Sequence, residues 1–417
     1  MRFAAFRAPW YKGYLAGGSL VMAGDNAEHA ITYWVMWQTF HSPLLAGFAV
    51  ISHWLPHLFF SVFFGSLADR FDCRRIIQVA IGIFAAVSVT WGVLFATGTL
   101  QAWHAVLLLV AHGFASALWH PADGVLVYDI VGPEAVGSGV RLMATGLSLG
   151  QLLGPAAGAA LLFTVGPAIG MFVNLLFYVP FAVYLLVMPI DGHRRRRELA
   201  PRVRLRDVVG VLRDLPRYPT ILVVVLLQGA VAFFIGTAVM PLLPEFGALL
   251  GQDTSGLGYG MLIVAMSTGA VVGGVTLEAV GRIPASARLA IASTLVFAIS
   301  IGVFAFSRTF VVSLVVLFLA GASTLASSSI SQTLVQLDAP PDRRGRFIGA
   351  YGMTSMGLRI GSGVLIGGIG LLVGAPLAVG IDAGLLALVA AALLMVVLTS
   401  RRDRRRMIEV VIPEEQT

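Results

Sequence analysis

Acids and histidines recur at helical spacing inside stretches that are otherwise apolar. Asp25, Glu28, His29 and Thr32 follow at i, i+3, i+4 and i+7, one face of a helix, with Asn26 beside them. His112, Ser116, Trp119, His120 and Asp123 share a face in a second stretch, and His53 and His57 lie four apart in a third. Carboxylates and imidazoles facing one wet space can load and release a proton near neutral pH. They can also ligate metals, but this spacing is not diagnostic of a metal site, and neither a metal nor another cofactor is expected. An ionisable group at mid-helix in a bilayer costs roughly 2.5–3.5 kcal/mol on insertion scales, so each one points to function. Asp25, near the centre of its stretch, is the first candidate for proton coupling or substrate contact, followed by Glu28 and Asp123. His112 is expected as a hydrogen-bonded packing residue, and His53 and His57 near the outer interface. Further along, Arg359 lies mid-stretch and Asp382 in the next stretch. They can pair, or Arg359 can attract an anionic group of a substrate.

The elements that must position these groups follow from composition. Of the 417 residues, 58% are hydrophobic and 12% charged, with mean hydropathy +0.88. A water-soluble chain carries about twice that share of charge. Apolar runs of about 20 residues select membrane helices over the alternating strands of a barrel. They fall at 13–38, 44–64, 76–98, 102–131, 138–163, 167–189, 218–243, 255–280, 286–306, 310–337, 346–372 and 376–399, twelve in all. Arginine clusters mark the N-terminus (Arg2–Lys12), every second loop (70–75, 194–217, 282–288, 343–346) and the C-terminus (401–406), while the intervening loops hold little beyond Arg308. By the positive-inside rule both termini are cytoplasmic, in an inner membrane. This distribution accounts for the net charge of +7 without nucleic acid as a partner. The single cysteine, Cys73, excludes a disulfide within the chain.

The long polar stretch 191–216 separates two six-helix sets, 1–190 and 217–400, with a cytoplasmic tail at 401–417. It reads as a solvated linker, with contact to anionic membrane lipid as the alternative. A repeat supports the division. Gly65, Gly113 and Pro133 correspond to Gly273, Gly321 and Pro341, each at an offset of 208. Two parallel halves around a midplane site are a transporter plan.

The loop after the second run is the most specific motif: Gly65-Ser66-Leu67-Ala68-Asp69-Arg70-Phe71-Asp72-Cys73-Arg74-Arg75. Here the chain resembles the major facilitator superfamily, whose loop between helices 2 and 3 matches at Gly65, Asp69, Arg70, Arg74 and Arg75. Asp72 and Cys73 depart from the usual Gly and Arg. The form is similar to the transmembrane secretion effector branch, as are Pro121, Ala122, Leu126 and Asp129 and the later Arg344-Gly345-Arg346. The resemblance implies an all-α membrane protein of twelve helices in two halves, with helices 1 and 4 lining the central cavity. It also implies a gating role for Gly65, Asp69, Arg70, Arg74 and Arg75. The fifth run carries Gly146, Gly150, Gly154-Pro155 and Gly158. Glycines four apart make a smooth packing face, and in the superfamily such a segment on helix 5 is associated with exporters that exchange substrate for protons. Gly150, Gly154, Pro155 and Gly158 are therefore expected to control conformational balance.

There is no phosphate-binding loop, since the only lysine is Lys12, and no catalytic residue set stands out, so an enzyme is not expected. The expectation is a monomeric, proton-coupled exporter of small amphipathic molecules such as drugs or siderophores. Asp25, Asn26, Glu28, His29, His120, Asp123 and Arg359 would serve the proton or the cargo. The segment Gly24-Asp25-Asn26 also resembles lysophospholipid transporters, so a lipid carrier or a small-solute importer stays open.

Overall fold

The computed structural model describes residues 4–68, 70–192, 213–252, 256–280, 286–340 and 344–411. Asp69, Pro341 and nearly all of the linker are outside this set. The apolar runs form helices because a bilayer leaves backbone amides no other partner than their own helix. In the N-terminal half these are α1 (Tyr11–Phe40), α2 (Pro43–Ala68), α3 (Cys73–Thr97) and α4 (Ala102–Val131). The helical run Val136–Val187 breaks at Gly166, whose φ of 79° suits a residue without a Cβ, giving α5 (136–165) and α6 (167–187). The C-terminal half contains α7 (Pro219–Phe234), α8 (Leu257–Val280), α9 (Ala287–Phe306) and α10 (Phe310–Asp338). It closes with α11, built from Arg344–Gly352, a π-helical turn Met353–Gly357 and Arg359–Val373, and with α12 (Ala375–Val411). Each of the twelve apolar runs overlaps one of these helices, a shorter helix Leu243–Leu249 follows α7, and among the described residues there is no strand.

The repeat is visible in packing. Gly113 of α4 meets the backbone of Ser52 on α2, and Gly321 of α10 meets the backbone of Met266 on α8. Each half therefore brings its fourth helix onto its second at a glycine. Gly65 behaves otherwise: among the described residues a Cβ placed there would have nothing within 4 Å. At that end the two halves stand apart.

The cores show this parting. One apolar cluster joins both halves at the end opposite the basic loops, including Trp34, Val50, Trp91 and Leu162 with Leu242, Phe246, Tyr259 and Phe304. At the basic-loop end each half has its own cluster, around Tyr14, Cys73 and Ile77 in one and Ile221, Ile330 and Phe347 in the other. The shared end is sealed by specific contacts. The Tyr259 hydroxyl donates to the Ala30 carbonyl at 2.7 Å, and its ring stacks on Trp34 with centroids 5.4 Å apart. Gly47 of α2 lies so close to α11 that a Cβ would fall 2.8 Å from the Gly367 amide nitrogen. The space between the halves therefore opens toward the basic loops.

The glycine run of α5 seats against α1. A Cβ on Gly150 would lie 2.6 Å from the Ser19 carbonyl oxygen, and one on Gly154 2.7 Å from Cβ of Asn26. Gly158 meets Ala27 in the same way. This seam fixes the rotation of α1 and so turns Asp25, Glu28 and His29 toward α2, α3 and α4. At the other end of α1 the Tyr11 hydroxyl donates to Gly139 on α5 at 2.6 Å.

The loop between α2 and α3 is tied within its own half. Asp72 caps α3, accepting from the Arg74 backbone N–H at 2.9 Å. It also pairs with the Arg74 guanidinium through 3.1 and 2.8 Å contacts. Arg74 donates in addition to the Met188 carbonyl just past α6. Partial burial works to raise the Asp72 carboxyl, but hydrogen bonds from Arg74 outweigh it and hold it below the ordinary carboxylate value. Arg75 donates to Gln78 at 2.9 Å, and Arg70 is exposed.

Candidate functional site

Two acids one turn apart on α1 grip one histidine of α4. His112 is 3% exposed. Its Nε2 lies 2.6 Å from Asp25 Oδ1 and its Nδ1 2.9 Å from Glu28 Oε1. A neutral imidazole donates from only one nitrogen, whereas a doubly protonated ring can donate to both carboxylates at once. Sequence reasoning assigned His112 to packing, but the structure places it at the centre of the charged cluster. The signal was available in principle: His112 and Asp25 both lie near the midpoints of their helices.

Glu28 is held further by α3 and α6. Its Oε2 accepts from the Ser88 hydroxyl and from the Tyr178 hydroxyl, the latter at 3.5 Å. Asn174, unassigned from sequence, donates to both Ser88 (3.3 Å) and Tyr178 (3.1 Å). Glu28 is thus a buried carboxylate supported by three other helices, α3, α4 and α6, and a buried charge persists only when so partnered.

Four further histidines extend the cluster. His29 Nδ1 lies 2.8 Å from the Asp25 carbonyl oxygen, and its ring centroid is 5.1 Å from that of His53 and 4.7 Å from that of His112. His57 joins Ser116 at 3.5 Å and lies beside His120, with ring centroids 5.2 Å apart. The expectation that His53 and His57 lie at the outer interface is corrected here. Helix α2 turns them inward, because its approach to α4 at Gly113 faces that stretch toward the bundle. Asn26 Nδ2 bonds the Met22 carbonyl at 2.9 Å and Asp25 Oδ2 at 3.2 Å.

Asp123 stands apart from this cluster. It is buried, and Oδ1 accepts from the Tyr14 hydroxyl of α1 at 2.6 Å. Among the described residues no ion pair involves it.

A cavity of about 270 Å³ lies between the halves. The N-terminal half lines it with Asp25, Asn26, His29, His53, Trp54, Ser116, His120 and Pro155. The C-terminal half contributes Thr237, Met240, Met266, Thr324, Met356 and Arg359. Glu28, His112 and Asp123 stand behind that wall. Arg359 follows the π-helical turn of α11. Its guanidinium lies over the Trp54 ring, 4.7 Å from the centroid, and its Nε donates to the Ser355 carbonyl at 3.1 Å. No Arg359–Asp382 ion pair is present. Asp382 is 1% exposed and neither of its carboxylate oxygens has a hydrogen-bond partner. The serine-rich part of α10 divides. Ser327 and Ser331 bond Gln228 of α7 at 2.8 and 3.3 Å inside the C-terminal half, while Thr324 reaches the cavity.

Comparison with known proteins places this arrangement. The chain matches the transmembrane secretion effector family over residues 2–413. It is 26% identical over 319 residues to the enterobactin exporter EntS of Salmonella typhimurium, covering 73% of this chain and 72% of that protein. The enterobactin exporter EntS of Shigella boydii is 27% identical over the same length. Among solved structures, the nucleoside transporter NupG overlays with TM-score 0.71 at 12% identity, over 92% of this chain and 98% of that one. A bacterial homologue of the human lysosomal transporter Spinster, in an inward-facing and unoccupied conformation, overlays with TM-score 0.68 at 14% identity, over 93% and 97%. At these identities the structures speak for the shared fold.

Proposed function

We propose, since this chain belongs to the transmembrane secretion effector family, a branch of the major facilitator superfamily, that it exports small amphipathic molecules against protons by alternating access. It is a membrane transporter and not an enzyme. The observation that carries the export reading is the cavity itself. It is polar on one wall and sealed at one end by a core common to both halves, and it opens between separate cores at the other. Rocking the halves about such a site would expose it to either face in turn. With the basic loops on the cytoplasmic side of an inner membrane, the described state accepts cargo from the cytoplasm.

Cargo chemistry follows from the wall. Trp54 and Tyr33 offer ring faces, the methionines adapt to irregular apolar shapes, and Arg359 offers a cation across from Asp25, Asn26, His29 and His120. This suits an aromatic molecule with a polar or anionic end. For the coupling proton, sequence reasoning put Asp25 first, but Asp25 is committed to His112. We assign the proton to Asp123 instead. Among the described residues it holds one hydrogen bond, from Tyr14, with the Tyr11 ring a further ionisable neighbour on α1, so it can gain or lose a proton without breaking an ion pair. His120, three residues earlier on α4, lines the cavity.

Everted membrane vesicles energised acid-inside test the reading. Wild type should accumulate an aromatic amphipathic dye, and Asp123→Asn should bind the dye without accumulating it. Gradient-independent movement of lysophospholipid by the wild type, with no dye accumulation, would favour a lipid carrier instead.

A further inference from the structure

We propose that His29, His53 and His112, together with Asp25, form a binding site for a divalent transition-metal ion of the zinc class, in the wall of the cavity and just behind it. The site belongs to no motif of the sequence, because its ligands come from three helices. One ring nitrogen from each histidine lies within 4.8 Å of the other two. A tetrahedral zinc with Zn–N near 2.0–2.1 Å needs ligand atoms about 3.3 Å apart. Side-chain rotations that move each ring by about an ångström close that gap. Asp25 Oδ1, already 2.6 Å from His112 Nε2, stands where a fourth ligand would be.

The remaining ring nitrogens are arranged as metal-binding imidazoles require. His112 Nδ1 faces the Glu28 carboxylate at 2.9 Å, and His29 Nδ1 faces the Asp25 carbonyl at 2.8 Å. A carboxylate or backbone oxygen on the distal nitrogen fixes the tautomer and aims the other nitrogen at the ion. His53 supplies the independent observation: its Nδ1 is buried with no hydrogen-bond partner.

Charge points the same way. Asp25 and Glu28 bring two negative charges into the bundle, and among the described residues neither pairs with an arginine or lysine. A single His112 imidazolium neutralises one of them. A dication bound by three neutral histidines neutralises both. On binding, the ion takes the place of the proton between His112 Nε2 and Asp25 Oδ1, and that proton leaves to water. No electron moves. Three imidazoles and one carboxylate select zinc, cobalt or nickel over magnesium or calcium, which take oxygen ligands.

The test uses full-length protein in detergent with any affinity tag removed. Cobalt(II) is titrated and its visible d–d absorption followed, with zinc as competitor. We expect saturable binding at one ion per chain, the intense bands of low-coordinate cobalt, and displacement by zinc. His29→Ala and His53→Ala should weaken binding by more than the 10–100-fold expected for Glu28→Gln, which alters only the outer shell. His41→Ala, at an exposed position, should leave it unchanged. X-ray absorption of the zinc-loaded wild type needs no variant and should count at least two imidazoles. Absence of saturable binding, a six-coordinate aquo spectrum, full affinity in the His29→Ala/His53→Ala double variant, or fewer than two imidazoles would overturn the proposal. Each readout is independent of transport, so a failed export assay would leave it standing.

Discussion

The two halves share a frame but not a chemistry. Both bring a glycine of the fourth helix of the set onto the backbone of the second, Gly113 on Ser52 and Gly321 on Met266. The N-terminal half then buries two carboxylates around an imidazole. The corresponding interior of the C-terminal half is a neutral network in which Gln228 donates to Ser327 and Ser331, and Thr294 joins Ser327 at 2.6 Å. Duplicated packing beside unduplicated charge suggests a division of labour: the N-terminal half handles ions, and the C-terminal half supplies an adaptable apolar wall with one cation.

Substitutions can break that comparison. Glu28→Ala removes one partner of a buried charged cluster and should cost about 3–5 kcal/mol of stability. Gln228→Leu in the other half should cost less, about 1–3 kcal/mol, the range for stranding neutral hydroxyls. Thermal or denaturant unfolding in detergent measures both, and equal losses would refute the asymmetry.

Gly154→Leu comes next. The leucine side chain would enter the α1–α5 seam beside Asn26, and overpacking costs about 1–3 kcal/mol. If the seam is tight in only one facing state, that cost moves the inward/outward ratio by roughly 5- to 150-fold. Transport should fall while folded protein persists. Unimpaired transport would leave the glycines as ordinary packing.

Arg359→Gln sharpens the comparison from the C-terminal side. It removes the cation that lies over Trp54, an interaction of about 0.5–2 kcal/mol. Fluorescence titration should show weaker binding of an anionic aromatic dye and little change for its neutral analogue. Equal loss for both would deny Arg359 a role in reading charge.

The smallest effect belongs to the α2–α3 loop. Asp72 is held below the ordinary carboxylate value by Arg74, so its contribution is present above about pH 4 and fades as pH falls through the lowered value. Asp72→Asn keeps a good cap but loses the charge. Wild type and variant should differ by well under about 1 kcal/mol near neutrality, and melting curves should converge as the pH falls toward 3. A difference that grows in acid would contradict the assignment.

Much of the frame was legible from sequence because helix length and arginine placement answer to the bilayer alone. Most of the twelve apolar runs anticipate the helices within a few residues, but α7 stops at Phe234 where the run reaches 243, and α12 continues to Val411 past the end of its run at 399. The α5 glycines announce a close approach, though not that α1 is the partner. Asp25, Glu28 and His29 could be put on one face by periodicity. What periodicity cannot supply is the rotation of one helix against another. His53 and His112 therefore looked like bystanders until α2 and α4 were seen to turn them onto α1. Asp25 looked free because its partner is 87 residues away.

Distances between the halves under two proton loads test the central claim most directly. With Cys73 replaced, spin labels at Thr39 and Leu249 report the end opposite the basic loops, and labels at Arg70 and Leu337 report the basic-loop end. In wild type, moving between pH values either side of neutrality should shift population from a short first distance and long second one to the reverse. Asp123→Asn should hold one distribution at both pH values. An Asp123→Asn variant that shifts with pH just as wild type does would contradict the account.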